Sequence, residues 1–314
     1  MVGQVRSWRD SEGLQGGLLP DGAGQAAFEL FRSKPSAIPI LIAVPHAGRR
    51  YPAALLAQMR FPDQARLRLE DRLADVLAHE VAEQTGATLL VSHAPRAMID
   101  LNRSPEDMDW DMVADGTPMG MPRFAAGRRA RSGLGLIPRR LSGMGEIWKR
   151  RLLAEELDAR IEFVHKPYHA ALSQGLENLR DRWGSALLID LHSMPPLGPK
   201  SGHAPSPDFV VGDRYGSSCG SNLSSTAISH FEGEGRHVAH NRPYAGGYVL
   251  DRHSAPARGI HALQLEICRS AYLDEQLIDP GAGLEDVAQT LVGCVRKLAD
   301  ELSSGLKTVA QAAE

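Results

Sequence analysis

The stretch Ala37-Ile-Pro-Ile-Leu-Ile-Ala-Val44, followed at once by Pro45-His46, decides how the chain reads. An unbroken apolar run of this length suits a strand buried on both faces, as in a parallel sheet covered by helices. Pro45 and Gly48 end it and leave His46 in the loop behind it. Working outward, residues 88–92, 97–101, 185–191, 209–212 and 262–267 read as further strands, with Val249-Leu250 a short extended piece. Leu67, Leu73, Leu77 and Val81 recur among charges, so 63–84 reads as one helix stopped by Gly86. Residues 148–182, 221–235 and 282–305 have helical character too. This alternation predicts an α/β fold with a mixed, mainly parallel central sheet flanked by helices, as a single domain over 37–314. Residues 1–36, Gly-rich and polar, read as a weakly ordered lead-in with room for a short hairpin. Residues 104–150, rich in Gly, Arg, Pro and Met, read as a long loop or lid insertion.

Composition narrows the function. Across 314 residues, 35 Lys+Arg face 38 Asp+Glu, a net charge of -3, so no basic field exists to draw nucleic acid. The local basic cluster from Arg123 to Arg151 reads as a solvated face. Aromatics at 5% argue against a base-stacking platform. Cys219, Cys268 and Cys294, odd in number and at no metal spacing, read as free thiols of a reducing compartment. No signal-peptide pattern and no membrane-length apolar run is visible, so a cytoplasmic protein without a membrane partner is expected.

Polar residues gather where the buried strands end, which is the ligand-binding edge of an open α/β sheet. His46 follows the first strand, Asn102 and Arg103 the third; His192 ends a later one, and Glu266 interrupts the apolar Leu-Gln-Leu-Glu-Ile. A catalytic zinc takes three protein ligands and leaves one position open. His46 and His192 are candidates for two of them. No carboxylate stands three residues after His46, because Arg49 is there, so the third is sought among Glu70, Asp71 and Asp75, with Asp71 the first choice. Asp71 and Asp75, four apart, would share one helix face. His93, His203 and His253 read as surface or loop histidines, and no G-x-S-x-G nucleophile elbow occurs.

A set of segments in order resembles the N-formylglutamate amidohydrolase family: Val44-Pro-His46-Ala-Gly-Arg-Arg-Tyr51-Pro52, Arg96-Ala-Met-Ile-Asp100-Leu-Asn102-Arg103, Pro167-Tyr168-His169, Asp190-Leu-His192-Ser193, Asn241-Arg-Pro243-Tyr244-Ala-Gly246-Gly247-Tyr248 and Gln264-Leu-Glu266. The DLNR and DLH elements are also similar to aspartoacylase and succinylglutamate desuccinylase, of the zinc-carboxypeptidase-like group with its phosphorylase/hydrolase-like fold. The resemblance implies a divalent metal, zinc, on His46 and His192. It implies a proton-handling Glu266, and substrate contacts from Arg96, Asn102, Arg103, Tyr168, His169, Asn241, Tyr244 and Gly246. It implies as substrate a small N-acyl amino acid, N-formyl-L-glutamate first. A deacylase or peptidase with a larger substrate and a non-catalytic binding relative are the alternatives, and the missing H-x-x-E pair bears on the last. For Glu266 the competing role is a buried salt bridge to Arg103 or Arg96; for Tyr168-His169 it is capping of the core, and for Gly246-Gly247 a plain turn.

Overall fold

A computed structural model of the chain describes residues 13–32, 34–114, 127–200 and 205–312. Among the described residues the strands are β1 (Leu14–Gly16), β2 (Phe28–Phe31), β3 (Ile40–Val44), β4 (Thr88–Ser92), β5 (Arg140–Leu141), β6 (Gly145–Glu146), β7 (Ala186–Met194), β8 (Phe209–Gly212), β9 (Val238–His240) and β10 (Ile260–Cys268). Eight of them form one sheet in the order β1-β2-β4-β3-β7-β10-β8-β9; β5 and β6 form a separate hairpin. The centre, β4-β3-β7-β10, is parallel throughout, while β1, β2 and β8 join antiparallel. This is the expected mixed, mainly parallel sheet.

Helices cover both faces, as the all-buried strands require. They are α1 (Ala53–Gln58), α2 (Pro62–Leu69), α3 (Ala74–Thr85), α4 (Arg128–Arg131), α5 (Ala154–Arg160), α6 (Lys166–Trp183), α7 (Ser221–Gly233), α8 (Tyr248–His253) and α9 (Leu284–Ala312). Side chains alternate along each strand. Ile42, Val44, Ile189, Leu191, Leu265 and Ile267 pack under α3, α7 and α9. Leu41, Ala43, Ala186, Leu188, Ile260 and Ala262 pack under α6 and α8. Among the described residues no helix is long and apolar enough to cross a membrane.

Several sequence expectations need correction. Residues 14–31 are not a loose lead-in: β1 and β2 pair with each other, and β2 pairs with β4. Phe28 and Leu30 alternate inward, a two-residue period that flanking glycines obscured. Residues 97–101 are buried turns rather than a strand; Met98 donates to the Pro95 carbonyl and Asp100 to that of Leu136. The Val249-Leu250 piece is helical, within α8. The described parts of 104–150 send Met108, Met112, Leu136, Ile137 and Ile147 into the core, so they form packed structure and not only a loop. The 63–84 helix is broken into α2 and α3, with Leu73 at φ 56°. There the Asp71 amide donates to the His46 carbonyl at 2.9 Å, trading helix continuity for a tie to the loop behind β3.

Candidate metal centre

The face under α6 changes character along the strands. Ala186 and Leu188 on β7 are apolar, but Asp190 and His192 follow in the same two-residue rhythm; on β10, Ile260 and Ala262 give way to Gln264 and Glu266. The parallel register pairs Gln264 with Asp190 and Glu266 with His192, so four polar groups stand side by side at the C-terminal end of the sheet. His46 arrives from the end of β3 and Asp71 from the break between α2 and α3. All of these residues are buried.

His46, Asp71 and His192 each turn a potential ligand atom to a common point, the atoms lying within 4.8 Å of one another. His192 Nδ1 is 3.0 Å from Asp71 Oδ2, and His46 Nδ1 is 3.6 Å from the same oxygen. The far nitrogens are held by carboxylates: His46 Nε2–H donates to Asp100 Oδ1 at 2.7 Å, and His192 Nε2–H to Asp190 Oδ2 at 2.9 Å. A carboxylate behind a histidine fixes the ring and leaves the inner nitrogen for a metal. His46 Nδ1 is buried and has no hydrogen-bond partner, an orphaned acceptor that a metal would satisfy. Two imidazole nitrogens and a single carboxylate match what a divalent ion such as zinc takes, with a position left open. Among the described residues these three are the group that could hold a metal ion.

Electrostatics follow from the packing. Burial raises the Asp71 carboxyl, yet His192 and His46 outweigh it and hold it well below the usual carboxylate range. Asp100 is likewise raised by burial and lowered further by Arg96 and His46. For His192 burial opposes the charge, but Asp190 and Asp71 raise it well above the ordinary value. Glu266 differs: burial pushes it up to about 7, with His192 pulling down and Asp71 pushing up. Its Oε1 accepts from Gln264 Nε2 at 2.8 Å, and no arginine pairs with it among the described residues.

The other expected residues divide. Arg96 donates to Asp100 Oδ2 at 2.9 Å, so it braces His46 at one remove. Asn102 is central: its Nδ2 lies 3.3 Å from His192 Nε2 and its Oδ1 accepts from the Val249 amide at 2.9 Å. Arg103 spends Nε and Nη1 on the carbonyls of Leu134 and Asn102, and Nη2 has no partner among the described residues. Tyr244 is half-buried, its phenol raised by burial and then by Glu266. Gly246 has φ 104°, a turn that favours glycine, and a Cβ on Gly247 would lie 2.6 Å from Asn102 Oδ1. Both glycines therefore serve protein packing. Asn241 uses its amide to hold Asp213: its Oδ1 accepts from the Asp213 amide at 3.0 Å and its Nδ2 donates to Asp213 Oδ1 at 2.7 Å.

Tyr168 and His169 do not meet the expectation of substrate contact. Both are 0% exposed, on the inner face of α6. Tyr168 packs edge-on against Phe28, and His169 Nδ1 shares a hydrogen bond of 2.8 Å with His253 Nε2. His253 is buried, not a surface residue, and with His165 completes a histidine stack beneath Tyr248. His165 Nε2–H donates to the Arg103 carbonyl at 2.9 Å, so this stack supports the loop carrying Asn102. His93 is half-buried against Glu29, and His203 lies outside the described residues. Of the acids weighed beside Asp71, Asp75 pairs with Arg49 and Glu70 faces Arg72. Sequence reading passed over Asp100, Asp190, Gln264 and Arg269 as site residues. The signal was present for the first two, since each is a charge inside an apolar run, as Glu266 is.

Known proteins bear on this geometry. A model of the N-formylglutamate amidohydrolase family matches residues 38–273. The chain is 28% identical to an N-formylglutamate deformylase of Pseudomonas aeruginosa, over 87% of this chain and 96% of that one. It is 29% identical to an N-formylglutamate deformylase of Pseudomonas putida, over 84% and 92% of the two chains. The crystal structure of N-formylglutamate amidohydrolase from Ralstonia eutropha superposes with a TM-score of 0.80 at 31% identity, covering 89% of this chain and 99% of that one. With the family's model spanning most of its length and the same fold in a solved member, the chain belongs to the N-formylglutamate amidohydrolase family.

Proposed function

We propose that this enzyme hydrolyses the amide of N-formyl-L-glutamate to L-glutamate and formate, with a zinc ion on His46, Asp71 and His192. The carrying observation is the convergence of three ligand atoms, one of them an orphaned His46 Nδ1, beside a carboxyl group raised to about 7. When bound, such an ion supplies Lewis acidity and brings the pKa of water from about 15.7 to near 7.

Glu266 does the proton work in this reading. Gln264 holds its Oε1, and Oε2 takes the proton from the attacking water and returns it to the leaving nitrogen. A carboxyl group near pH 7 is matched to both halves of that task. Arg103, held through Nε and Nη1, presents Nη2 to a substrate carboxylate as one arm of a rigid fork. Arg96 adds positive charge near the scissile carbonyl, and the Tyr244 phenol, kept protonated by burial, is a donor for the developing oxyanion.

A hydrolysis screen of N-acyl amino acids, with and without a chelator, tests this. N-formyl-L-glutamate should be the best substrate, turnover should cease with chelator, and zinc should restore it. Preference for a larger acyl group would redirect the substrate assignment. Turnover indifferent to thorough chelation would overturn the metal.

A further inference from the structure

Asp71 needs only one carboxylate oxygen to reach the two histidines. That oxygen is Oδ2. Oδ1 faces away and accepts from Ser193 Oγ at 3.2 Å, with Arg269 Nη2 at 3.4 Å. The same Ser193 oxygen accepts from Arg269 Nε at 3.0 Å. The hydroxyl has a single proton, so its direction is set: guanidinium to serine, serine to Asp71. Arg269 is anchored further by the carbonyls of Glu70, 2.6 Å from Nη2, and Leu67, 3.2 Å from Nη1. It is 9% exposed and lies just past the end of β10, three residues after Glu266; Ser193 directly follows His192 on β7. The clamp thus joins the ends of β7 and β10 to the helix break that carries Asp71.

We propose that Arg269 and Ser193 are positioning residues that hold Asp71 as a one-oxygen ligand, keeping the second oxygen off the metal and a coordination position open. This rests on the metal reading above. A fork that donates to a carboxylate, a hydroxyl and two carbonyls at once needs the planar, multi-donor guanidinium. A purely structural Arg269 would need only the Glu70 and Leu67 carbonyls, which pin the turn without touching the carboxylate.

Ser193→Ala separates the two roles, because it leaves those carbonyl contacts intact and removes the nearer donor to Oδ1 together with the acceptor of Arg269 Nε. The protein is made metal-free and titrated with zinc against a chromophoric chelator. Cobalt is added in parallel to read coordination number from its visible spectrum. Ser193→Ala should bind zinc about 10- to 100-fold more weakly, the usual loss when a ligand's outer partner is removed. Its cobalt spectrum should move toward higher coordination, and Ser193→Thr, which keeps the hydroxyl, should restore affinity. Arg269→Lys should weaken zinc in the same direction and serves if the alanine variant does not fold. A folded variant with zinc affinity within about twofold of the parent overturns the clamp. A parent that takes up no stoichiometric metal, or a His46→Ala variant that retains it, overturns the metal reading and the clamp with it.

Discussion

Replacing Glu266 by Gln separates the two roles open to a carboxyl group inside this sheet. Glutamine keeps the shape and, through its carbonyl oxygen, the acceptor for Gln264 Nε2, but it cannot exchange a proton near neutrality. As the proton shuttle, Glu266 should cost about 10²–10⁴ in kcat when lost, about 3–5 kcal/mol in the barrier. Stability should move the other way. Burial raises the group from 4.5 to about 7 in the folded chain. A raised carboxyl contributes its stability fully below the unfolded value, and that contribution is lost as pH rises through the folded one. By pH 8 the metal-free parent therefore bears a penalty on the order of 3 kcal/mol that glutamine does not. Urea unfolding of both metal-free proteins at pH 5 and pH 8, with stopped-flow turnover of the zinc-loaded forms, reads both effects. The variant should be more stable than the parent at pH 8, should lack the parent's fall in stability between about pH 5 and 7, and should be nearly inactive. A salt-bridged Glu266 would give the reverse: a destabilised variant retaining turnover. That result would refute the shuttle.

The remaining expectations test the surroundings. Asp100→Asn removes the carboxylate behind His46, and zinc affinity should fall about 10- to 100-fold by chelator competition; an unchanged affinity would free His46 from that orientation. Burial, with Arg252 and His165, pushes His253 down to about 3, so between roughly pH 6.5 and 3 the unfolded chain binds a proton the folded one refuses. Stability should drop as pH falls through that window, by about 1.4 kcal/mol per unit for this one group, and His253→Gln should flatten the slope; equal slopes would refute it. Gly247→Ala places a methyl 2.6 Å from Asn102 Oδ1, and such overpacking should cost about 1–3 kcal/mol of unfolding free energy in a urea titration, together with turnover. A fully active alanine variant would show that Asn102 is free to move.

What was legible in the sequence follows from where the information lies. β3, β7 and β10 are buried on both faces, so their apolar runs announced the sheet, and a charge inside such a run, as at Glu266, announced a site. His46 and His192 were legible for the same reason, each at the end of a run. Spacing does not single out Asp71 from Asp75. The two, four apart, share one face of a continuous helix on the sequence alone, whereas α2 stops at Leu69 and the break turns Asp71 inward while Asp75 meets Arg49. Helical periodicity of Leu67, Leu73 and Leu77 survives across a break, so spacing alone does not reveal it. Tyr168 and His169 misled because a motif's position in the chain does not say which face of α6 carries it; amphipathic packing placed both in the core. The Arg269–Ser193–Asp71 chain spans β10, β7 and the helix break, and only tertiary structure unites residues so far apart.

Whether His46, Asp71 and His192 hold one catalytic metal is read by anomalous diffraction at the zinc edge from crystals of the zinc-loaded protein. A single strong peak is expected about 2.0–2.1 Å from Nδ1 of each histidine and about 2.0–2.2 Å from Asp71 Oδ2, with one remaining position facing Glu266. Zinc bound stoichiometrically at any other place, with His192 still hydrogen-bonded to Asp71, would contradict that assignment.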